Sequence, residues 1–344
     1  MARQRGGTEH KLIEKIFDQL SSSVSIALLK NDKLAYEFYG GRKAALSDGA
    51  VGAKPGISRV TRFNLGSASS LFTGALAVKF MEFGDVRLND PARRFIPEFT
   101  FGDVSVYHLM THTSGLDCAN LPLPDNYAAK REFFRKLYGG LSQAAAPGVV
   151  SEFFQYNYAI LADIIERISG QMIEELAASL LFMPLGMKYT TYNGVALKAN
   201  QYVAPWSHIE NRFMNELHAK QPTGQSGVYT TALDLLRFGR MILNGGASED
   251  RPVFLESSVG FILKEITAGK FMRTPLFMVK GKADAFGCFS DQNSAEAVAT
   301  TGNTGSLFFI DPYKRVVGAA LTNSTWVHAL SQNYNNIADI LMAV

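Results

Sequence analysis

Hydrophobic and polar positions alternate most clearly near the two ends of the chain. Residues 25–29 and 34–38 are β-rich runs separated by a short polar stretch, and this pattern predicts a hairpin. Residues 307–310 and 316–321 flank a second polar stretch and predict another hairpin. Strands near both ends with helices between them indicate one sheet built from both ends of the chain, interrupted by a helical insertion.

Helical spacing of apolar residues dominates the middle of the chain. Residues 127–138 and 158–168 carry this spacing, and the second run stops at a glycine. Residues 230–243 predict a capped helix that ends at an Asn-Gly-Gly stretch. The dipeptide Asp90-Pro91 predicts a further helix start, with the aspartate as the cap and the proline at the first helical position.

A serine in front of another helical pattern is the first candidate for chemistry. Residues 63–74 read FNLGSASSLFTG and lead into an apolar-periodic run, which places Ser67 at the first turn of a helix. Free N–H groups and the positive end of the helix dipole favour developing negative charge there, so the position suits a nucleophile. A serine before a helix is also a common N-cap, and the pattern alone leaves both interpretations open.

The composition of the chain limits the kinds of partner and cofactor that we expect. The chain has 344 residues, 47% hydrophobic and 19% charged, which is typical of a globular protein long enough for two lobes. The 34 Lys and Arg against 31 Asp and Glu give a net charge of +3 without a basic block, so nucleic acid is not expected as a partner. Cys118 and Cys288 have no zinc spacing, and no GxGxxG or Walker pattern occurs. We therefore expect neither a metal nor another cofactor.

The N-terminal residues carry no targeting signal of a familiar kind. A polar start is followed by an amphipathic pattern over residues 12–20, and no apolar run reaches signal-peptide length. No run reaches the roughly 18 apolar residues that a membrane span needs. We expect a cytoplasmic protein that does not associate with membranes and that binds a small-molecule substrate or ligand, while the oligomeric state stays open.

Several segments, spread over nearly the whole chain, resemble the serine β-lactamase-like family of class C β-lactamases, penicillin-binding proteins and related esterases and acyltransferases. In the family's order they are residues 63–74 (FNLGSASSLFTG), 88–91 (LNDP), 108–116 (HLMTHTSGL), 147–148 (PG), 164–170 (IIERISG), 184–187 (PLGM), 227–234 (GVYTTALD), 302–305 (GNTG) and 321–323 (LTN). The resemblance implies an α+β, β-lactamase/transpeptidase-like fold with helices flanking an antiparallel sheet. It assigns residues 1–66 and 225–344 to the sheet domain and 67–224 to a mostly helical lobe, with the site between them.

The family's first motif, Ser-x-x-Lys, places serine and lysine one helical turn apart on one face. Here Ser67 is kept, and Ser70 stands at the lysine position. A neutral hydroxyl cannot accept the proton of a serine near pH 7, so the family's base is missing. Lys79 is no substitute, because it lies roughly 18 Å further along the helix at about 1.5 Å per residue.

The second family motif is Tyr-x-Asn. Counting from the Pro-Gly pair at residues 147–148 puts Phe153 at the tyrosine position and Gln155 at the asparagine position. Phe153 has no titratable proton. Tyr156 is an alternative source of a phenol, and its other interpretation is a residue that packs between the two lobes.

The third family motif, Lys/His-Thr-Gly on an edge strand, becomes Thr300-Thr301-Gly302, so its cation is lost. The resemblance implies that the backbone N–H groups of Ser67 and Asn303 form an oxyanion hole. Such a hole needs only backbone donors, so the anion-binding geometry can persist without a base.

Two histidines are candidates for a replacement general base. His208 and His218 fall in a poorly patterned region that the resemblance places near the rim of the cleft. Either one would reach Ser67 as a proton acceptor or lie exposed in a loop, and the sequence leaves both interpretations open.

The sequence supports two functions. The first, slightly favoured, is an enzyme acting on an acyl or other carbonyl compound by hydrolysis, acyl transfer or a repurposed reaction, with Ser67 and an oxyanion hole but without the family lysine and tyrosine. The second is a catalytically inactive member that binds a small ligand or a partner in the cleft. An efficient β-lactamase is not expected, because each proton-transfer catalyst supplies roughly 10²–10⁴-fold in rate.

Overall fold

The structure, a computed structural model, describes residues 23–41, 56–118, 129–207, 212–214, 222–249, 251–282, 284, 286–325 and 332–344. The strands in these ranges are β1 (Val24–Lys30), β2 (Lys33–Gly40), β3 (Arg62–Asn64), β4 (Leu116–Asp117), β5 (Ser142–Gln143), β6 (Tyr202–Val203), β7 (Trp206–Ser207), β8 (Arg212–Phe213), β9 (Tyr229–Thr230), β10 (Ala247–Ser248), β11 (Arg251–Pro252), β12 (Met278–Val279), β13 (Val298–Gly302), β14 (Ser306–Asp311) and β15 (Val316–Thr322). The α-helices are α1 (Ser70–Phe83), α2 (Val106–Met110), α3 (Lys130–Gly140), α4 (Tyr156–Ser169), α5 (Ile173–Ala177), α6 (Ala232–Leu243), α7 (Glu256–Leu263) and α8 (Gln332–Ala343).

An antiparallel sheet with the strand order β12-β13-β14-β15-β1-β2 joins the two ends of the chain. Strand β1 pairs with β2 on one side and with β15 on the other, so both predicted hairpins are confirmed and lie side by side. Asn31 and Asp32 close the first hairpin with φ values of 50° and 61°. Asn and Asp tolerate this left-handed conformation better than most residues, which explains why they occupy the two turn positions.

The sheet is covered on both faces. Along β14, Leu307 and Phe309 pack in the apolar cluster that includes α8 residues, while Phe308 and Ile310 pack in the larger core on the other face. This alternation follows from the two-residue period of a strand. Helix α6 lies on the second face, where Gly239 lets it approach β15 closely: a Cβ there would lie 2.4 Å from Val317 Cγ1.

Helix α1 is apolar on nearly every side, as expected of a helix buried in the centre of a protein. The Phe72 ring makes edge contacts with Phe182 and Phe238 at centroid distances of 5.0 and 5.6 Å. Helix α4 packs against α1, and β13 contacts the turn that precedes α1. The start of α1 is therefore held between the helices and the edge of the sheet.

The predicted helices are largely confirmed. Helix α4 begins two residues before the predicted range and ends at Gly170, whose φ is 69°. Helix α6 has the expected cap, since the Asp234 N–H donates to the Thr231 hydroxyl at 3.2 Å. Helix α3 covers residues 130–140, a shift toward the C-terminus from the predicted 127–138.

The helix predicted after Asp90-Pro91 is wrong in kind, because only a 3₁₀ turn, Ala92–Arg94, follows. The Asp90 carboxylate accepts the Arg87 N–H at 2.8 Å and an Arg94 guanidinium N–H at 2.6 Å, so it closes the preceding loop. The amphipathic pattern at residues 12–20 lies outside the described residues. Within the described part of the chain, no helix has the length and apolarity needed to cross a membrane.

Candidate functional site

Ser67 lies in a 3₁₀ turn, Gly66–Ser69, that directly precedes α1. Gly66 has a φ of 56°, a left-handed conformation that favours glycine. Its N–H donates to Asn64 Oδ1 at 2.7 Å, and the Ser69 hydroxyl donates to its carbonyl oxygen at 2.7 Å. Neither this turn nor α1 has a side-chain cap, so the N-cap interpretation does not explain Ser67.

Two glycines allow the end of β13 to lie directly against this turn. A Cβ at Gly302 would lie 2.0 Å from the Leu65 carbonyl oxygen. A Cβ at Gly66 would lie 2.0 Å from Asn303 Oδ1. Both distances are far below van der Waals contact, so the two segments approach this closely only because both positions are glycine.

The close approach brings the side chain of Asn303 to the backbone of Ser67. The Ser67 N–H donates to Asn303 Oδ1 at 3.2 Å. The donor identifies which end of the amide faces it, because only the oxygen can accept. The two residues that the resemblance assigns to the oxyanion hole are therefore adjacent. A substrate oxyanion would have to displace Oδ1 to use the Ser67 donor.

A cavity of about 510 Å³ opens beside Ser67. It brings together most of the residues that the three family motifs single out, namely Ser67, Ser70, Phe153, Gln155, Thr300, Thr301 and Asn303. Gly302 is not in its wall and instead accepts a hydrogen bond from the Tyr334 hydroxyl at 2.9 Å through its carbonyl oxygen. The Phe153 ring is 58% exposed, which places it at the mouth of the cavity.

No proton acceptor is hydrogen-bonded to the Ser67 hydroxyl within the ranges that the structure describes. The Ser70 hydroxyl, at the position of the family lysine, has no hydrogen-bond partner there either. Lys79 is bound elsewhere, since its amine donates to Glu82 Oε2 and to the Val253 carbonyl oxygen, both at 2.6 Å. The described surroundings of Ser67 therefore contain hydroxyls and amides but no base in contact with it.

The proposed substitutes for the missing groups do not lie in the described cavity wall. Tyr156 is 5% exposed and packs its ring against Phe154 and Phe133 at 5.4 and 6.1 Å, outside that wall. His208 and His218 lie outside the described residues. Among the residues that are described, no group of three or more His, Cys, Asp or Glu converges as a metal site would require.

His112 is a wall residue that the sequence did not single out as part of the site. Its buried ring lies 4.9 Å from the Phe153 ring and 5.2 Å from the Tyr158 ring. Asn157 Nδ2 lies 3.3 Å from Nδ1, and the Ser114 hydroxyl donates to Asn157 Oδ1 at 2.7 Å. Since Asn157 uses its oxygen for Ser114, it donates through nitrogen to His112, which makes Nδ1 the acceptor in a neutral ring.

The pKa of His112 is lowered to about 3, first by burial and then by the positive charge of Arg273. A folded-state pKa below the unfolded value of 6.5 means that the unfolded chain binds more protons between these limits, so stability falls as the pH falls. We expect the protonation of His112 in the unfolded chain to lower the free energy of unfolding by about 2.5 kcal/mol between pH 7 and pH 4.5. Urea unfolding of the wild type and of His112→Gln at both pH values measures this effect. The fall in the free energy of unfolding from pH 7 to pH 4.5 should be smaller in His112→Gln by that amount. An equal loss in wild type and variant would contradict the assignment.

Tyr158 and Arg273 also line the cavity and were missed by the sequence analysis. The Tyr158 hydroxyl lies 3.0 and 3.1 Å from the carbonyl oxygens of Met110 and Pro275, and burial raises its pKa, so it is fixed as a neutral donor. Tyr158 falls within a predicted helix, but nothing in the pattern indicated the direction of its side chain. Arg273 lies in a segment that carries no motif, so no signal in the sequence could have found it.

The fold and this site together define a β-lactamase/transpeptidase-type scaffold, with a Gly-Ser turn at a helix start beside the Thr-Gly end of β13. The chain belongs to the family whose model is named Beta-lactamase, which matches residues 11–339. The resemblance inferred from the sequence motifs and the α+β fold implied by it are thereby confirmed.

Relatives and solved structures agree with this assignment. The penicillin-binding protein 4 of Amycolatopsis lactamdurans is 25% identical over 308 residues, which cover 83% of this chain and 79% of the relative. Against several other curated relatives, the chain spans about half of their length. The structure of the D-alanine carboxypeptidase AmpC of Burkholderia cenocepacia has a TM-score of 0.74 at 21% identity and covers 98% of each chain. EstCE1, a hydrolase with promiscuous acyltransferase activity, has a TM-score of 0.76 at 15% identity, with 97% of this chain and 98% of that one covered.

Proposed function

We propose that this protein binds a small acyl or carbonyl compound non-covalently in the cavity beside Ser67 and forms no ester through Ser67. One observation carries the proposal: the Ser67 N–H is bonded to Asn303 Oδ1 while its hydroxyl has no described proton acceptor. A serine nucleophile needs an adjacent base, and acyl transfer needs free donors where the oxyanion develops. Among the residues that the structure describes, no group meets either requirement in this arrangement.

The cavity has the properties of a ligand site. Its volume of about 510 Å³ falls within the range common for small-molecule pockets. Hydroxyl and amide groups from Ser70, Gln155 and Thr301 lie in a wall that also carries apolar side chains, among them Leu276 and Phe277. Polar groups that fix the orientation of a ligand, beside apolar surface that contributes affinity, are what a small organic ligand requires.

The names of the relatives support the class of ligand. A penicillin-binding protein, a D-alanine carboxypeptidase and a hydrolase with acyltransferase activity all carry names that refer to acyl or carbonyl chemistry. The described cavity wall keeps Ser67 and Thr301 from the family motifs but neither the lysine nor the tyrosine. Such a wall retains groups that can bind a carbonyl compound but lacks the groups that transfer protons in the family.

Benzylpenicillin is a suitable probe, because binding, acylation and hydrolysis can each be measured with it. We expect calorimetric titration to give reversible binding, with a dissociation constant that changes by no more than about twofold in Ser67→Ala, since that hydroxyl makes no described hydrogen bond. Chromatography should recover the compound intact. Hydrolysis of the probe, or absence of binding at millimolar concentration, would refute the proposal.

A second candidate function is an enzyme of altered chemistry. The observation in its favour is that Ser67 and Ser70 face the same cavity, so a substrate that displaces the Asn303 side chain would meet both hydroxyls. This candidate requires turnover of a small activated ester, such as 4-nitrophenyl butyrate, that is abolished in Ser67→Ala. Turnover that persists in Ser67→Ala would exclude it.

A further inference from the structure

A second cavity, with a volume of about 810 Å³, is lined by residues of helices α3 and α4. No described residue of its wall also lines the cavity beside Ser67. Helix α3 contributes two rows of side chains, one made of Lys130, Phe134 and Tyr138 and the other of Arg131 and Arg135. Residues four positions apart lie on one face of a helix, so each row faces the cavity together.

Every carboxylate that the structure describes in this wall is paired with a cation of the same wall. The Lys130 amine donates to Glu166 Oε1 at 2.8 Å. The Arg167 guanidinium donates to both carboxylate oxygens of Glu98, each at 3.1 Å, and to Asp163 Oδ2 at 2.9 Å. These charges are therefore already matched within the protein.

Arg131 and Arg135 are left over from this pairing. Both are exposed, and neither takes part in an ion pair or a hydrogen bond among the described residues. Arg167 lowers the pKa of Glu98 first, through hydrogen bonds, and the charge of Arg131 lowers it further without a contact. Like charges one helical turn apart repel each other, so an anion between the two guanidinium groups would relieve that repulsion.

Apolar surface lies beside the two arginines. The Phe134 and Tyr138 rings stack at a centroid distance of 6.0 Å and an angle of 19°. Met172, directly before α5, is 38% exposed and lines the same cavity. The volume falls within the range of roughly 300–1,000 Å³ that is common for small-molecule sites. The wall therefore suits a molecule with an anionic end and an apolar end.

We propose that this second cavity binds a small organic phosphate, with its phosphate group held by Arg131 and Arg135 and its apolar group against Met172 and the stacked rings. A phosphate monoester carries nearly two negative charges and three acceptor oxygens. Guanidinium groups match such oxygens in two-point contacts, and two of them balance a dianion. The proposal does not depend on the chemistry at Ser67, because the two walls share no described residue.

Calorimetric titration of the full chain with phenyl phosphate, phenyl sulfate and inorganic phosphate near pH 7.5 tests the proposal. Phenyl phosphate carries nearly two charges at this pH and phenyl sulfate carries one, while inorganic phosphate lacks the ring. We expect phenyl phosphate to bind about 3- to 10-fold more tightly than either of the other two probes.

Variants of α3 assign the binding to the two arginines. Arg131→Met combined with Arg135→Met should weaken the binding of phenyl phosphate about 10- to 100-fold. Replacing both by lysine should restore part of the affinity, because lysine keeps the charge but lacks the planar fork. Lys136→Met is the matched control, since Lys136 is exposed on the same helix and lies outside the described wall. It should change the affinity by no more than about twofold.

Four results would overturn the proposal. The first is failure of phenyl phosphate to bind the wild-type protein at millimolar concentration. The second is binding that survives in the folded double methionine variant. The third is an equal loss in Lys136→Met, which would show an effect of net charge alone. The fourth distinguishes a lipid headgroup from a soluble ester: retention by phosphatidylcholine vesicles only when they contain phosphatidic acid, without binding of phenyl phosphate.

Discussion

Replacing Ser70 by lysine and Phe153 by tyrosine is expected to produce little esterase activity, whereas adding Asn303→Ala should raise it by about 10²–10⁴-fold over the double variant. Ser70 and Phe153 stand at the family's lysine and tyrosine positions, and both line the cavity beside Ser67. The double variant therefore restores the missing proton carriers. It does not free the Ser67 N–H, which Asn303 Oδ1 holds at 3.2 Å.

Initial rates of 4-nitrophenyl butyrate hydrolysis measure this effect. The triple variant with Ser67→Ala added serves as the control and should fall to the background rate, because the gain must pass through the serine hydroxyl. High activity of the double variant alone would show that the Asn303 side chain is no obstacle. Absence of a gain in a folded triple variant would show that the cavity is reshaped beyond these three positions.

Gly302→Ala is expected to lower the free energy of unfolding by roughly 3 kcal/mol or more. The new Cβ would lie 2.0 Å from the Leu65 carbonyl oxygen, which belongs to backbone and cannot swing aside. Strand β13 would have to move away from the turn that carries Ser67. We therefore also expect weaker ligand binding in the cavity, because Thr300 and Thr301 of its wall would move with the strand.

Gly260→Ala is the matched control for this prediction. Gly260 lies in α7, and a Cβ there would meet no atom within 4 Å. The same substitution should therefore raise the stability by up to about 1 kcal/mol, through the better helix propensity of alanine. Urea denaturation of both variants provides the comparison. A Gly302→Ala protein as stable as the wild type would contradict the described contact between β13 and the turn.

The elements that local pattern determines were predicted well from the sequence. The hairpin of β1 and β2 follows from two short β-rich runs around an Asn-Asp turn, and α4 follows from apolar spacing that ends at Gly170. In each of these elements the side chains on one face share one environment over several residues, so the sequence shows the hydrophobic period of a strand or a helix. Asp90 shows the limit of predicting a helix start from a local motif. Its carboxylate accepts a hydrogen bond from the N–H of Arg87, which precedes it, and only a short 3₁₀ turn follows.

The sequence predicted which motif residues belong to the site but not how their side chains contact one another. The motif positions placed Ser67, Ser70 and Asn303 together, which agrees with the described cavity. The bond between Asn303 Oδ1 and the Ser67 N–H depends on the space left by Gly66, a contact between segments 236 positions apart. Arg273 reaches the cavity through the path of a loop, and no periodicity or motif encodes that path. Long-range packing decides these features, so no single segment reveals them.

The most direct measurement is the intact mass of the wild-type protein after incubation with a fluorophosphonate, a reagent that reacts with activated serine hydroxyls. If Ser67 lacks both a proton acceptor and a free oxyanion donor, the mass stays unchanged, and a reference serine hydrolase treated in parallel is labelled fully. The Ser70→Lys, Phe153→Tyr, Asn303→Ala variant should gain one adduct, located on Ser67 by peptide mapping. Stoichiometric labelling of wild-type Ser67 that disappears in Ser67→Ala would contradict the assignment of a non-covalent site.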